Sequence, residues 1–221
     1  CSSPRRTESR LQLPACYGAP ERGVPWVTYP GLFAGGGLDV MTAALLRALP
    51  TPPVKGAILD ACCGSGVIAA ALHARAGAQL DIHLLDADAV ALDAARANVP
   101  TAARVFLCDG WPDTASAFPK KGKPKKYEWI VSNPPVHRGQ PDDFRVVRDL
   151  ISGARSRLTR AGVLWLVAQE QVPIGRMLAA YGDFAWVEAV VSEDGRFVTW
   201  SAGRSAREGA DGEHRGDGAE A

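Results

Sequence analysis

The chain has 221 residues, 47% of them hydrophobic and 22% charged, with a formal net charge of +1. That length supports one well-buried domain with tails or two small ones, and the near-neutral balance gives no global electrostatic sign of a nucleic-acid binder. No apolar run reaches the ~18 residues that a membrane-spanning helix needs, so no membrane partner is expected. The five cysteines and four histidines contain no C-x-x-C pair, so no metal site is expected and reduced thiols fit best.

Residues 1–23 are expected to form a disordered tail. Its Arg5, Arg6 and Arg10 also fit the end of a removed organellar targeting segment. The expected compartment is the cytoplasm, or a mitochondrion or plastid if that second reading holds. Val24 to Tyr29 suggests a short strand, followed by a Pro30-Gly31 turn. In "LDVMTAALLRAL" (38–49), Leu38, Met41, Leu45, Leu46 and Leu49 form a helical stripe that Pro50, Pro52 and Pro53 end.

Strands and helices then alternate. Ala57–Ala61 is predicted as a strand, Ser65–Ala76 as a helix, Leu80–Asp86 as a strand and Asp88–Asn98 as a helix. Arg104–Leu107 and Tyr127–Ser132 are further strands. Asp142–Arg160 is a long helix with Phe144, Val147, Leu150, Ile151, Ala154 and Leu158 on one face. Gly162–Gln169 is a strand and Ile174–Tyr181 a helix. Ala185–Ser192 and Arg196–Ser201 form a terminal hairpin around Glu193-Asp194-Gly195. This alternation argues an α/β fold, a parallel sheet with helices on both faces. The hairpin adds one antiparallel strand. The domain is expected over residues 24–202, with a disordered tail at 203–221.

Four motifs carry chemistry. In "ILDACCGSGVIAAAL" (58–72) a strand ends at Asp60, and Gly64 and Gly66 sit at the turn into a helix. Such glycines let backbone approach a ligand, and the helix start adds partial positive charge. The G-x-G-x-x-G pattern is absent, and an acid there suits a cationic ligand better than a pyrophosphate. In "HLLDAD" (83–88), Asp86 ends the next strand, where a carboxylate can accept both hydroxyls of a ribose; Asp88 serves better as the helix cap. In "FLCDGW" (106–111), Asp109 stands where an adenine amino group needs an acceptor. Three acids at successive strand ends line the carboxyl edge, where open α/β sheets bind ligands. Finally, a buried strand stops abruptly at Ser132-Asn133-Pro134-Pro135, a polar amide followed by a rigid elbow without donors.

Here the chain resembles the class I S-adenosylmethionine methyltransferases with an N-P-P motif. "PGLFAGGGLD" (30–39), "ILDACCGSG" (58–66), "SNPPVHRG" (132–139) and "GRFVTWSA" (195–202) together resemble the ribosomal RNA guanine methyltransferases of the RsmC type. The resemblance covers residues 26–202. It implies a Rossmann-like, mainly parallel seven-stranded sheet with one antiparallel strand, S-adenosylmethionine as cofactor and RNA as partner. It also implies that Asp60, Gly64 and Gly66 line the methionine part, Asp86 the ribose and Asp109 the adenine, with Phe33 and Asp39 packing over the cofactor. Asn133 and Pro134, followed by Pro135, hold the target amine, and Val136, His137 and Arg138 are candidate substrate contacts.

The sequence departs from that family in three places. Cys62 replaces a glycine, and its small size is expected to be tolerated. Val136 stands where many members carry an aromatic that stacks on the flipped base. The additional amino-terminal domain of the larger members is expected to be missing, so that substrate recruitment comes from elsewhere.

A guanine amine has its lone pair delocalised into the ring, so the chemistry is chiefly positioning. The Asn133 oxygen and the Pro134 carbonyl can each accept one N–H and stabilise the charge that develops. No strong base is needed. An amine within paired RNA must be flipped out or presented single-stranded. The lysine run "PKKGKPKK" (119–126) is expected at the opposite edge of the sheet, supplying long-range attraction at most. Two other readings stay open: an N-P-P enzyme acting on a protein glutamine amide or adenine, and a catalytically silent partner subunit.

Overall fold

The computed structural model describes residues 5–13, 23–76, 80–112, 126–136 and 144–206. A small hairpin pairs β1 (Thr7–Leu11) antiparallel with β2 (Val24–Thr28). The main body then runs α1 (Val40–Ala48), β3 (Gly56–Ala61), α2 (Val67–Ala76), β4 (Leu80–Asp86), α3 (Ala89–Asn98), β5 (Arg104–Leu107) and β6 (Tyr127–Ser132). It continues with α4 (Arg145–Arg157), β7 (Leu158–Gln169), α5 (Ile174–Tyr181), β8 (Trp186–Val191) and β9 (Phe197–Gly203).

The seven-stranded sheet has the order β5-β4-β3-β6-β7-β9-β8. Its first five strands are parallel, and β9 is antiparallel to both of its neighbours. The expected single antiparallel strand is therefore β9, inserted between β7 and β8. The central strands bury both faces, which is why they read as near-continuous apolar runs rather than alternating ones. Ile58, Ile82, Val131 and Val167 face Leu45, Leu46, Leu72 and Leu92 of α1, α2 and α3. Leu59, Ile130, Leu164 and Leu166 face Val147, Ile151 and Leu178 of α4 and α5.

Three expectations change in detail. Thr7–Leu11, within the segment expected as a tail, is a strand paired with β2: four of its five residues are exposed, and Leu11 is its one buried residue, packed with Trp26 and Val67. So sparse an apolar signal reads as tail. Leu158 is not the last residue of the helical stripe. It is extended and fully buried, opens β7 and pairs with Tyr127, because the β6–β7 register shifts between Tyr127 and Trp129. At the other end, β9 runs through Gly203, and Arg204 donates its backbone N–H to Gly162. Residues 207–221 of the expected carboxyl tail lie outside the described residues, as do Asp142 and Asp143 of the expected long helix.

The chain builds outward from β3 through β4 to β5, then returns to β6 on the other side. The β3–β6 seam is thus a topological switch point, where such sheets open a crevice at the strand carboxyl ends. Ala61 and Ser132 are in register across it, and the Ser132 hydroxyl donates to the Ala61 carbonyl at 2.6 Å. That clip sets the Cys62–Gly66 turn beside Asn133.

Candidate active site

A cavity of about 670 Å³ occupies this crevice, within the usual range for a small-molecule site. Its floor is the turn after β3. Gly64 (φ 52°) lines it, and a Cβ built there meets no atom within 4 Å, so the turn presents bare backbone to whatever occupies the space. Gly66 (φ 88°) has another role. It stands behind the wall, where a Cβ would lie 3.0 Å from Val99, so its missing side chain lets α3 pack closely. Cys62 also lines the cavity and adopts φ 57°. Its small size is therefore not what matters: the backbone is left-handed, a conformation that costs a non-glycine residue about 1–2 kcal/mol. Burial, reinforced by the Asp86 charge, pushes its thiol up to about 12.

The acids differ in position. Asp60 is fully buried behind the cavity and is not on its surface. Its Oδ2 accepts the Ala69 N–H at 3.0 Å, capping the first turn of α2, and its Oδ1 has no partner among the described residues. Burial, with the Asp86 charge adding, pushes its carboxyl up to about 8. Asp86 does reach the cavity, but it is not free as expected. Its Oδ2 accepts the Gly64 N–H at 2.8 Å and its Oδ1 the Asp88 N–H at 2.9 Å. Each oxygen keeps a second lone pair for a ligand hydroxyl. Asp88 caps α3 through the Val90 N–H, as its position suggested. Asp109 also lines the cavity, exposed and ion-paired with Arg145 at 2.9 Å.

The upstream segment closes over this floor. Phe33, 68% exposed, begins a 3-10 turn at the cavity mouth. The Gly36 carbonyl at the end of that turn accepts from Trp26 Nε1 at 2.5 Å and from the Ser65 hydroxyl at 2.6 Å, tying the segment to the glycine-rich turn. Asp39 then caps α1 by accepting the Met41 and Thr42 N–H groups.

Asn133 sits at the end of β6 on the same cavity wall. Its Nδ2 donates to Thr42 Oγ1 at 2.8 Å and to Asp39 Oδ2 at 3.3 Å. A carboxylate only accepts, so the amide nitrogen must be the atom facing Asp39. The amide oxygen is thereby directed elsewhere, and it is a buried acceptor with no partner among the described residues. Pro134 is buried and Pro135 exposed, both lining the cavity. Val136 lines it too while packing on the α4 face of the core. His137 and Arg138 lie outside the described residues, as do residues 119–125 of the lysine run. Lys126 lies just before β6, at the amino edge of the sheet, opposite the cavity.

Sequence reasoning did not single out Thr42, Trp111 or Arg196. Trp111 and Arg196 line the cavity, and Thr42 stands behind Asn133. The signal for Thr42 was a hydroxyl three residues after the Asp39 cap. For Arg196 it was the quoted Gly195-Arg196-Phe197 segment, which had been given no role.

The sequence model of the methyltransferase small domain matches residues 23–199. The chain belongs to the methyltransferase small domain family. It is 34% identical over 181 residues to ribosomal RNA small subunit methyltransferase C of Idiomarina loihiensis, an alignment covering 80% of this chain and 49% of that relative. Identity to the protein of the same description from Escherichia coli O1:K1 / APEC is 34% over 183 residues, with 81% and 49% covered. The chain therefore spans about half the length of the curated relatives it matches. Among solved structures, its fold matches the T. thermophilus 16S rRNA N2 G1207 methyltransferase (RsmC), solved with AdoMet and guanosine. The TM-score is 0.68 at 20% identity, covering 92% of this chain and 51% of that one. A methyltransferase from Pyrococcus furiosus matches with a TM-score of 0.59 at 12% identity, covering 80% and 87%. The methyltransferase small domain thus accounts for the α/β architecture, with the N-P-P elbow and the glycine-rich turn on either side of its switch point.

Proposed function

We propose that this chain is an S-adenosylmethionine-dependent methyltransferase acting on the exocyclic amine of guanine in ribosomal RNA. The observation that carries the reading is Asn133: its amide nitrogen is held by Thr42 and Asp39, and its oxygen is a buried acceptor with no partner among the described residues. The relatives' descriptions favour ribosomal RNA over a protein amide as the acceptor, and the matched RsmC structure, described as an N2 G1207 methyltransferase, favours guanine over adenine.

The cavity suits the cofactor. The bare Gly64 backbone admits a close approach, Asp86 offers lone pairs to a diol, and Asp109 offers an acceptor at the far side. Bound there, S-adenosylmethionine supplies an electrophilic methyl on a sulfonium. Asn133 Oδ1 accepts one N–H of the target amine and the Pro134 carbonyl accepts the other. These two acceptors would orient the nitrogen toward the methyl and stabilise the positive charge that grows on it. The nitrogen–carbon bond would form as the sulfur–carbon bond breaks, the sulfur leaving as a neutral thioether. The alkylated nitrogen is then acidic enough to release its proton to water, so no buried base is required. Among the described residues, no helix is long and apolar enough to cross a membrane.

The variant Asn133→Ala tests the reading. Turnover is expected to fall by about 100-fold or more, the scale seen when a positioned transition-state hydrogen bond is removed. Affinity for S-adenosylmethionine by calorimetry should stay within about twofold, since Asn133 serves the acceptor. Unchanged turnover in the variant would contradict the mechanism.

A further inference from the structure

We propose that Thr42 is a positioning residue for methyl transfer, acting through Asn133, as a directional relay from Asp39. The proposal rests on the reading of Asn133 as the amine acceptor. Thr42 is 5% exposed in the first turn of α1, a buried polar residue on a helix whose one other polar residue is Arg47 in its last turn. Its hydroxyl donates to Asp39 Oδ2 and its Oγ1 accepts from Asn133 Nδ2 at 2.8 Å.

The direction of this chain is forced. Asp39 cannot donate, so the single proton of the Thr42 hydroxyl points to it. That leaves a lone pair of Thr42 facing Asn133, which only the amide nitrogen can satisfy. Asn133 is thus locked in one of its two amide orientations, with the oxygen as the free acceptor. The alternative flip would set that oxygen against the Asp39 carboxylate. The ordered chain also polarises the amide: negative charge on Asp39, passed through Thr42, draws its N–H protons and makes Oδ1 a stronger acceptor. Asp39 is itself fixed by the Met41 and Thr42 N–H groups, so the relay is anchored on the start of α1.

The test compares Thr42→Val, which removes the hydroxyl at nearly constant shape, with Thr42→Ser, which keeps it. Thr42→Val is expected to lower kcat by about 10- to 100-fold, the usual cost of losing a group that orients a reacting one. KM for RNA and affinity for S-adenosylmethionine should change by less than about threefold, and Thr42→Ser should restore most of kcat. Side-chain amide NMR of Asn133, assigned by difference from Asn133→Ala, adds a readout independent of turnover. Two well-separated, slowly exchanging protons are expected in the wild type, collapsing toward the free-amide pattern in Thr42→Val. The relay is overturned if Thr42→Val keeps wild-type kcat, if Thr42→Ser is as impaired as Thr42→Val, or if the Asn133 amide signals are insensitive to both. Were methyl-labelled S-adenosylmethionine to label protein or adenine while Thr42→Val stayed selectively slow, the guanine assignment would fall and the relay would stand. Should Thr42→Val fail to fold, Thr42→Ala, which also lacks the hydroxyl, takes its place, and wild-type kcat in that variant would equally overturn the relay.

Discussion

Two residues carry conformations or contacts that their type alone does not suggest. Cys62 follows β3 with a left-handed backbone, one position before the buried Cys63 and two before Gly64. Size does not explain its place; the turn requires positive φ whatever the side chain, and cysteine bears a modest strain that glycine would not. The consequence is testable by branching the side chain at constant polarity class. Cys62→Val should destabilise the fold by about 2 kcal/mol, because a β-branched residue fits the left-handed region worst, whereas Cys62→Gly should lie near neutral. Chemical denaturation decides it, and a Cys62→Val protein as stable as wild type would count against a left-handed turn. Asn133 is the second residue. Its type was legible in the sequence as an acceptor at a strand end, but its orientation was not, since that depends on Thr42 and Asp39 more than ninety positions away in the chain.

At the scale of elements, the place where the β6–β7 pairing shifts has an electrostatic consequence. Alternation would place Tyr127, Trp129 and Val131 on one face. Tyr127 instead packs with the α4 side of the core, where its hydroxyl meets His83 Nδ1 of β4 at 3.0 Å. Burial, with the Arg104 charge adding, pushes the His83 imidazole down to about 4. An unfolded His83 takes up its proton near pH 6.5 and the folded one does not until about 4, so His83 withdraws stability as pH falls between those values. Asp60 at the end of β3 works in the opposite sense. Its folded carboxyl keeps its proton up to about 8 while the unfolded one ionises near 3.8, so stability is lost as pH rises through that interval. The two slopes oppose each other below pH 6.5, and only that of Asp60 remains above it. Stability of the wild type should therefore fall between pH 6.5 and 8, a slope that Asp60→Asn abolishes. His83→Gln should remove the acid-side loss. Urea denaturation across this range measures both, and a wild type whose stability rises from pH 6.5 to 8 would contradict the burial of an unpaired Asp60 oxygen. The elements themselves were largely legible, because a parallel sheet covered on both faces writes itself as apolar runs separated by amphipathic helices. What was not legible has a common physical cause. The β6–β7 register shift, the pairing of Leu158 with Tyr127 and the docking of β1 through Leu11 all depend on partners far along the chain, while local pattern reports only the chain's own period.

For the whole molecule, the switch point explains why residues scattered from Phe33 to Phe197 line one cavity. The order β5-β4-β3-β6-β7 brings the glycine-rich turn, the acids after β4 and β5, and the elbow after β6 to one edge, and α1 roofs them through Asp39. The acids were legible as a line along that edge. Their division of labour was not: Asp60 supports α2 from behind, Asp86 ties two loops together at the surface, and Asp109 shares an ion pair with Arg145. The proposed reaction is methyl transfer, in this cavity, to a guanine amine. Nucleoside mass spectrometry decides it: ribosomal RNA lacking the modification is incubated with the protein and methyl-labelled S-adenosylmethionine, digested and resolved by nucleoside. Label is expected in N2-methylguanosine, strongly reduced with Asn133→Ala. Label confined to another nucleoside or to protein, or labelling of guanosine that survives Asn133→Ala undiminished, would contradict it.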